Sequence, residues 1–224
     1  MIHPHMATML GYITCDVGVS KEPWSRLIKQ VVDRSFNAIT VDGDTSTNDA
    51  CALLATGASP CPIIDDESSQ AAQLFYSSLE EVCINLAQKL VRDAEGATKF
   101  ITIAIEEGVS EQDCLEIAFT IAHSPLVKTA LFASDPNWGR LLAAIGRSDV
   151  DALQVDKVSI LINSELVVEN GARAASYREE AGFSAMSAEE IVIRVLLGSG
   201  NCSTTIWTSD FSHDYVKINA EYRT

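Results

Sequence analysis

A threonine hydroxyl is a weak nucleophile until a base takes its proton, and the nearest base is the threonine's own α-amine once that amine is free. Thr8 sits in the string MATML directly after the small residue Ala7. Cleavage between Ala7 and Thr8 would release that amine and make Thr8 a self-activating nucleophile. On residue type alone, the ordinary reading is a β-branched strand residue held by packing. A second cluster is Asp42, Asp44 and Asp49 around the hydroxyl run Thr45-Ser46-Thr47. Alternating carboxylates suit a hard cation, but the twelve-residue calcium loop with its closing glutamate is missing. A turn in which Asp, Ser and Thr side chains bond nearby backbone groups is the better expectation. Glu95-Gly96 in DAEGAT reads as a helix-ending turn with one exposed acid. Arg140 in NWGR either binds an anion or packs on the Trp138 indole. The histidines at 3, 5, 123 and 213 lack metal-ligand spacing, so no metal site is expected.

The elements that position these groups follow from periodicity. Residues 6–14 read as a strand. Trp24, Leu27, Ile28, Val31 and Val32 form one face of a helix that begins after Ser20. Ala38–Val41 reads as a short strand, Asp42-Gly43-Asp44 as a turn, and Ala50–Ala55 as a short buried helix. A loop with two prolines covers 57–66. Phe75, Leu79, Val82, Leu86 and Leu90 step by three and four along a long helix, which DAEGAT breaks. Ile101, Ile103 and Ile105 share one face of a strand. Ser110 caps a helix through His123 that Pro125 ends. SDPNWGR (134–140) is a loop. Val158–Ile162 and Leu166–Val168 read as strands. Ser187 with Glu190 resembles a capping box before a helix Ile191–Leu197, ended by Gly198 and Gly200. Ser203–Thr208 and Tyr215–Ile218 read as two final strands. Strands and helices mix without a strict βαβ rhythm, which favours layered α+β over a doubly wound sheet.

Composition narrows the function. The 224 residues suffice for one large domain or two small ones. Sixteen basic and 31 acidic side chains give a formal net charge of −15, a field that repels phosphate backbones and argues against nucleic-acid binding. No apolar run reaches the ~18–20 residues of a membrane-spanning helix, and no membrane partner is expected. Cys15, Cys51, Cys61, Cys83, Cys114 and Cys202 form no C-x-x-C pair and read as reduced core thiols. MIHPHMATML lacks the features of a signal peptide. Its strand-like stretch begins so early that a preceding segment is expected.

Five blocks in order bear on Thr8. MIHPHMATMLGYIT, RSFNAITVDGDTSTND, DAEGATKF, SPLVKTALFASDPNWGR and DYVKINAEYRT together span the chain. In content and order they resemble the ornithine/glutamate N-acetyltransferases, multifunctional arginine-biosynthesis enzymes. The resemblance implies an α+β layered sandwich of the ornithine acetyltransferase type, N-terminal-nucleophile-like. It also implies a precursor that cuts itself autocatalytically into α and β chains, the β chain opening at Thr8. Residues 1–7 would then be the remnant of the α-chain end and 8–224 the β-chain domain. The implied reaction moves an acetyl group from N-acetylornithine to glutamate through an acetyl-threonine on Thr8. No cofactor is implied, but some members also accept acetyl-CoA, which makes it a candidate co-substrate.

The resemblance assigns substrate contacts to Thr8, Glu95, Asn219 and Thr224, and a supporting position to Asp44, Thr45 and Asn48. It implies an α-chain partner, αβ units and a heterotetramer. It implies a soluble intracellular protein, cytoplasmic in a bacterium and mitochondrial or plastid in a eukaryote. In that family the α chain carries the threonine-glycine oxyanion hole and a substrate-contacting lysine, neither of which lies in this sequence, so the isolated chain is expected to be inactive. His5 stands where the family has asparagine, and Ala94 where it has glycine. Two other readings compete: a non-catalytic fragment that keeps the fold, and a self-processing amidohydrolase or aminopeptidase.

Overall fold

A computed structural model describes residues 1–3, 9–45, 48 and 50–222. The chain divides into two compact units, Met1–Leu90 and Val91–Thr224.

The first unit holds β1 (Leu10–Cys15), α1 (Lys21–Asp33), a 3-10 turn (Phe36–Ala38), β2 (Ala50–Ala55) and most of α2 (Gln70–Arg92). β1 and β2 pair in parallel, Leu10 opposite Ala50 through Cys15 opposite Ala55. ACALLA was expected to be helical. A short apolar run carries no decisive period, and here a ladder with β1 settles it as a strand. Ala38–Val41 forms no strand among the described residues: the 3-10 turn gives way to extended Ile39. The Val41 amide and the Thr40 hydroxyl then both donate to the Ile2 carbonyl. Residues 57–66 are a loop whose Ile64 bridges Val19. α1 buries Leu27 and Val31 of the expected face together with Pro23, while Trp24, Ile28 and Val32 are half-buried. Along α2 the buried line is Ala72, Leu79, Cys83, Ala87 and Val91. Val82 of the expected stripe is exposed, because the small Cys83 and Ala87 lie on the side that meets the core.

The second unit holds β3 (Phe100–Gly108), α3 (Glu111–Ala122), α4 (Pro125–Phe132), α5 (Trp138–Gly146), β4 (Ser159–Ile162), β5 (Glu165–Glu169), β6 (Ala172–Arg173), α6 (Glu179–Met186), β7 (Glu190–Leu196), β8 (Cys202–Ser209) and α7 (His213–Glu221). Its six strands run in the order β6-β5-β4-β7-β3-β8. β3 and β7 are parallel, and every other pairing is antiparallel. Ile101, Ile103 and Ile105 face the same side as Ile191, Ile193 and Val195, and all six are buried. α3 packs on β3 and β8 over this core.

Two expectations are corrected here. Ile191–Leu197 was read as a helix but belongs to β7. Its alternating β-branched residues fit a half-buried strand, and Ser187 closes α6 by donating to the Phe183 carbonyl instead of opening a helix. Tyr215–Ile218 was read as a strand but lies in α7, capped by the Ser212 hydroxyl, which accepts from the Tyr215 amide. Pro125 does end α3, but it also opens α4 as its first residue, with Ser124 as cap. Ser110 caps α3 as expected, accepting from the Asp113 amide. Among the described residues no helix is long and apolar enough to cross a membrane. All six cysteines carry free thiols. Cys83 and Cys114 are core thiols, and burial pushes the Cys83 thiol up to about 11.

Candidate functional site

The strongest convergence of candidate residues lies where the DAEGATK turn meets the start of α7. α2 stops at Arg92, and the chain reverses through Gly96 at φ +68°. A Cβ there would stand 2.4 Å from the Tyr215 amide nitrogen, so only glycine lets the turn come this close to α7. Ser212 joins the two segments. Its hydroxyl donates to the Gly96 carbonyl at 2.5 Å and accepts from the Tyr215 amide at 3.2 Å. Asp210 fixes the far side of the turn: Oδ1 accepts the Thr98 and Lys99 amides, each at 2.9 Å, and Oδ2 accepts the Thr98 hydroxyl at 2.6 Å.

This clamp brings two residues 124 positions apart into contact. Asn219 Nδ2 donates to Glu95 Oε2 at 3.2 Å and to the Tyr215 carbonyl at 2.9 Å. Both side chains are exposed, so the pair offers a carboxylate and an amide to an incoming polar group. Ala94, where the family has glycine, is not among the residues with positive φ. The turn therefore accepts alanine there, and its glycine requirement falls on Gly96.

Two lysines lie behind the clamp. Burial pulls the Lys99 ammonium below the usual lysine range, and Asp210 partly offsets this. Lys99 Nζ donates to Ser134 Oγ at 2.7 Å and to the Met186 carbonyl at 2.6 Å. Lys128 on α4 is only 1% exposed. Its Nζ donates to Thr208 Oγ1 at 2.9 Å and to the Ser209 carbonyl, and lies 4.6 Å from the Phe211 ring centroid. Phe211 stacks on Tyr215 at 4.6 Å. Lys128 thus braces the end of β8 just before the Asp210–Ser212 clamp.

Asp210, Ser212 and Lys128 escaped the sequence reading. A cap residue two positions after an aspartate, ahead of a helix, was the available signal for the first two. Lys128 sits in a mostly apolar helix beside Thr129, where a lone lysine commonly marks a solvent-facing side.

Ala7, Thr8 and Thr224 fall outside the described residues, as do Ser46, Thr47 and Asp49. Asp44, Thr45 and Asn48 are exposed residues of the first unit. The turn expected at Asp42 is present, with Oδ1 accepting the Asp44 amide at 3.1 Å and the Ile2 amide at 2.9 Å. Arg140 takes a third course beside the two left open. Its Nη1 donates to the Leu126 carbonyl at 2.8 Å, tying α5 to α4.

The architecture is that of a mixed α+β protein with a layered sheet, the class expected for an ornithine acetyltransferase-type fold. It matches the crystal structure of arginine biosynthesis bifunctional protein argJ from Bacillus halodurans with a TM-score of 0.91 at 33% identity, over 96% of this chain and 100% of that one. The ArgJ family model matches residues 1–224, and the chain belongs to the ArgJ family. Proteins named arginine biosynthesis bifunctional protein ArgJ are 53% identical over 224 residues in Pseudomonas fluorescens and 51% in Pseudomonas syringae pv. tomato. The one from Psychrobacter arcticus is 48% identical over 223 residues. The chain spans about half the length of these relatives, 55% in each case.

Proposed function

We propose that this chain is the nucleophile-bearing part of an arginine-biosynthesis acetyltransferase that moves an acetyl group from N-acetylornithine to glutamate. The observation that carries the reading is the Glu95–Asn219 pair, held by a clamp that joins two of the family blocks. Relatives named as bifunctional arginine-biosynthesis proteins support the pathway.

After cleavage between Ala7 and Thr8, the Thr8 amine takes the proton of its own hydroxyl and Oγ attacks the acetyl carbonyl carbon. The amide C–N bond breaks, ornithine leaves as the amine carrying that proton, and an acetyl ester remains on Thr8. The glutamate α-amine then attacks the ester, the C–O bond breaks, and Oγ recovers a proton. Splitting the transfer this way gives ping-pong kinetics. The Glu95 carboxylate suits the ammonium of ornithine, and Asn219 and Thr224 suit the amino-acid end of the substrate. Asp44, Thr45 and Asn48 keep the supporting role that the family resemblance assigns them. No cofactor is required, and acetyl-CoA is an alternative donor.

The partner is the α chain of the same enzyme, which supplies the oxyanion donors, and αβ units assemble into a heterotetramer. The chain in the Bacillus halodurans structure is covered over 100% of its length by 96% of this one, which supports a protein made of separate chains. Residues 8–224 are the β-chain domain and 1–7 the α remnant. The setting is intracellular, and cytoplasmic if the source is bacterial.

Intact mass and acetyl transfer test this together. The chain is co-expressed with the part of the Pseudomonas fluorescens relative outside the matched region. The expected product begins at Thr8, gains one acetyl group on mixing with N-acetylornithine, and loses it to glutamate. Thr8→Ala abolishes cleavage and acetylation. A pair that exposes wild-type Thr8 and transfers no acetyl group overturns the reading.

A further inference from the structure

α7 packs little of itself. None of its residues is buried, and every residue from Val216 to Glu221 is exposed. Its ring contacts, His213 edge-on to Phe132 and Tyr215 stacked on Phe211, fall in its first turn. The firm anchor lies just ahead of the helix, where Asp210 and Ser212 are 2% and 5% exposed. Asp210 accepts from Thr98 and Lys99, while Ser212 donates to the Gly96 carbonyl and caps α7 through the Tyr215 amide. Glu95 stands one residue before Gly96, and Asn219 stands seven after Ser212. Both side chains are exposed, so packing does not fix them and their mutual placement depends on this anchor. Seven helical residues carry Asn219 about 10 Å along the axis, so a tilt of about 10° at the anchor would move it by about 2 Å. A displacement of that size at a substrate contact is enough to spoil orientation.

We propose that Ser212, with Asp210 behind it, is a positioning residue that sets discrimination between acetyl donors: by fixing the DAEGATK turn against the start of α7, it holds the Glu95 carboxylate beside Asn219, ready for the side-chain ammonium of the donor. This rests on the acetyl-transfer reading above and adds to it two residues that touch no substrate. The consequence is selective. N-acetylornithine and N-acetylnorvaline share the acetyl amide, the carboxylate and the carbon skeleton, and differ only in the side-chain ammonium. Displacing Asn219 affects both donors alike, because both carry the amino-acid end. Displacing Glu95 affects only the donor with the ammonium, because only there does a charge-assisted bond form. A loosened anchor therefore makes the two donors more alike, whereas a plain loss of folded protein lowers both rates together.

The test measures kcat/KM for both donors at fixed glutamate, using this chain co-expressed with the part of the Pseudomonas fluorescens relative outside the matched region. Ser212→Ala removes both bonds of the anchor. Ser110→Ala is the control, since it removes a cap of the same kind from α3, where the hydroxyl accepts from the Asp113 amide at 3.0 Å. Circular dichroism verifies that each variant folds. Where Ser212→Ala does not fold, Asp210→Asn carries the same comparison, because it weakens the hold on the Thr98 hydroxyl. In the expected result wild type prefers N-acetylornithine, Ser212→Ala cuts that preference by about tenfold, and Ser110→Ala leaves it unchanged. In a Glu95→Gln background, Ser212→Ala changes the preference no further, as coupled residues require. A folded anchor variant that keeps the wild-type preference, or whose loss adds fully to that of Glu95→Gln, overturns the positioning role and leaves the transfer reading in place. An equal loss in Ser110→Ala assigns the effect to stability and overturns the role as well. A wild-type pair that transfers acetyl groups without preferring N-acetylornithine removes the ammonium contact and the role built on it. A wild-type pair that transfers none overturns the transfer reading and this one with it.

Discussion

The six-stranded sheet and the two-stranded ribbon treat their outer faces differently. In the larger sheet, the side opposite the isoleucine core mixes Thr102, Glu106, Arg194 and Thr205 with apolar neighbours. The Arg194 guanidinium bonds both oxygens of the Glu106 carboxylate, each at 2.8 Å. At the end of the sheet Arg92 pairs with Glu190 at 2.8 Å and lies over the Phe100 ring. That face thus carries charge pairs and hydroxyls beside the buried rings of Phe100 and Trp207. Among the described residues the ribbon's outer face carries no comparable polar lacing, and Thr14 stands there among Leu10, Tyr12, Leu54 and two alanines. A face finished with charge and hydroxyls and a face left apolar should answer differently to substitution.

Truncation gives the widest separation between the two regions. Ile103 is fully buried between β7 and β8, and Ile103→Ala should cost ~2–5 kcal/mol in urea denaturation of the chain. Leu54→Ala on the ribbon's outer face should stay within about 0.5 kcal/mol. Equal losses would mean that the ribbon face is already packed in solution, and the contrast between the two sheets would collapse.

The clamp comes next in size. Gly96→Ala forces an L side chain into positive φ against the Tyr215 amide, which should cost ~1–3 kcal/mol. Hydrogen exchange along α7 should accelerate, because Ser212 and Asn219 lose their registered partners on the turn. Ala94→Gly, two residues earlier, should change stability by less than about 1 kcal/mol. If the two substitutions cost the same, the turn does not depend on close approach to α7.

How much of this could be read from the sequence varied by element. The β3 strand, the Ser110 cap and the β4–β5 pair were legible because alternation or a cap signal was local and unambiguous. Ala50–Ala55 and Ile191–Leu197 were not, because short, mostly apolar stretches fit either period until a partner strand selects one. Tyr215–Ile218 misled for a related reason: its β-branched residues outweighed the Ser212 cap that starts α7. Glu95 and Asn219 were legible only through ordered family blocks. Nothing local joins residues 124 apart, and the joining groups, Asp210 and Ser212, are ordinary polar residues until the fold turns them toward the DAEGATK segment.

The smallest effect tests the polar lacing itself. Hydrogen bonds from Arg194 hold the Glu106 carboxyl below the usual carboxylate range; burial pulls the other way, and the guanidinium charge adds to the lowering. A depressed folded-state value means the pair stabilises the protein above the ordinary glutamate range and that this contribution fades as pH falls through the folded value. Glu106→Gln should therefore lower the urea midpoint slightly at about pH 7, and the gap to wild type should close towards about pH 3. Both side chains are partly exposed, so salt should narrow the gap at neutral pH as well. A gap that survives both acid and salt would assign Glu106 a packing role and remove the charge pair from the account of how this face meets water.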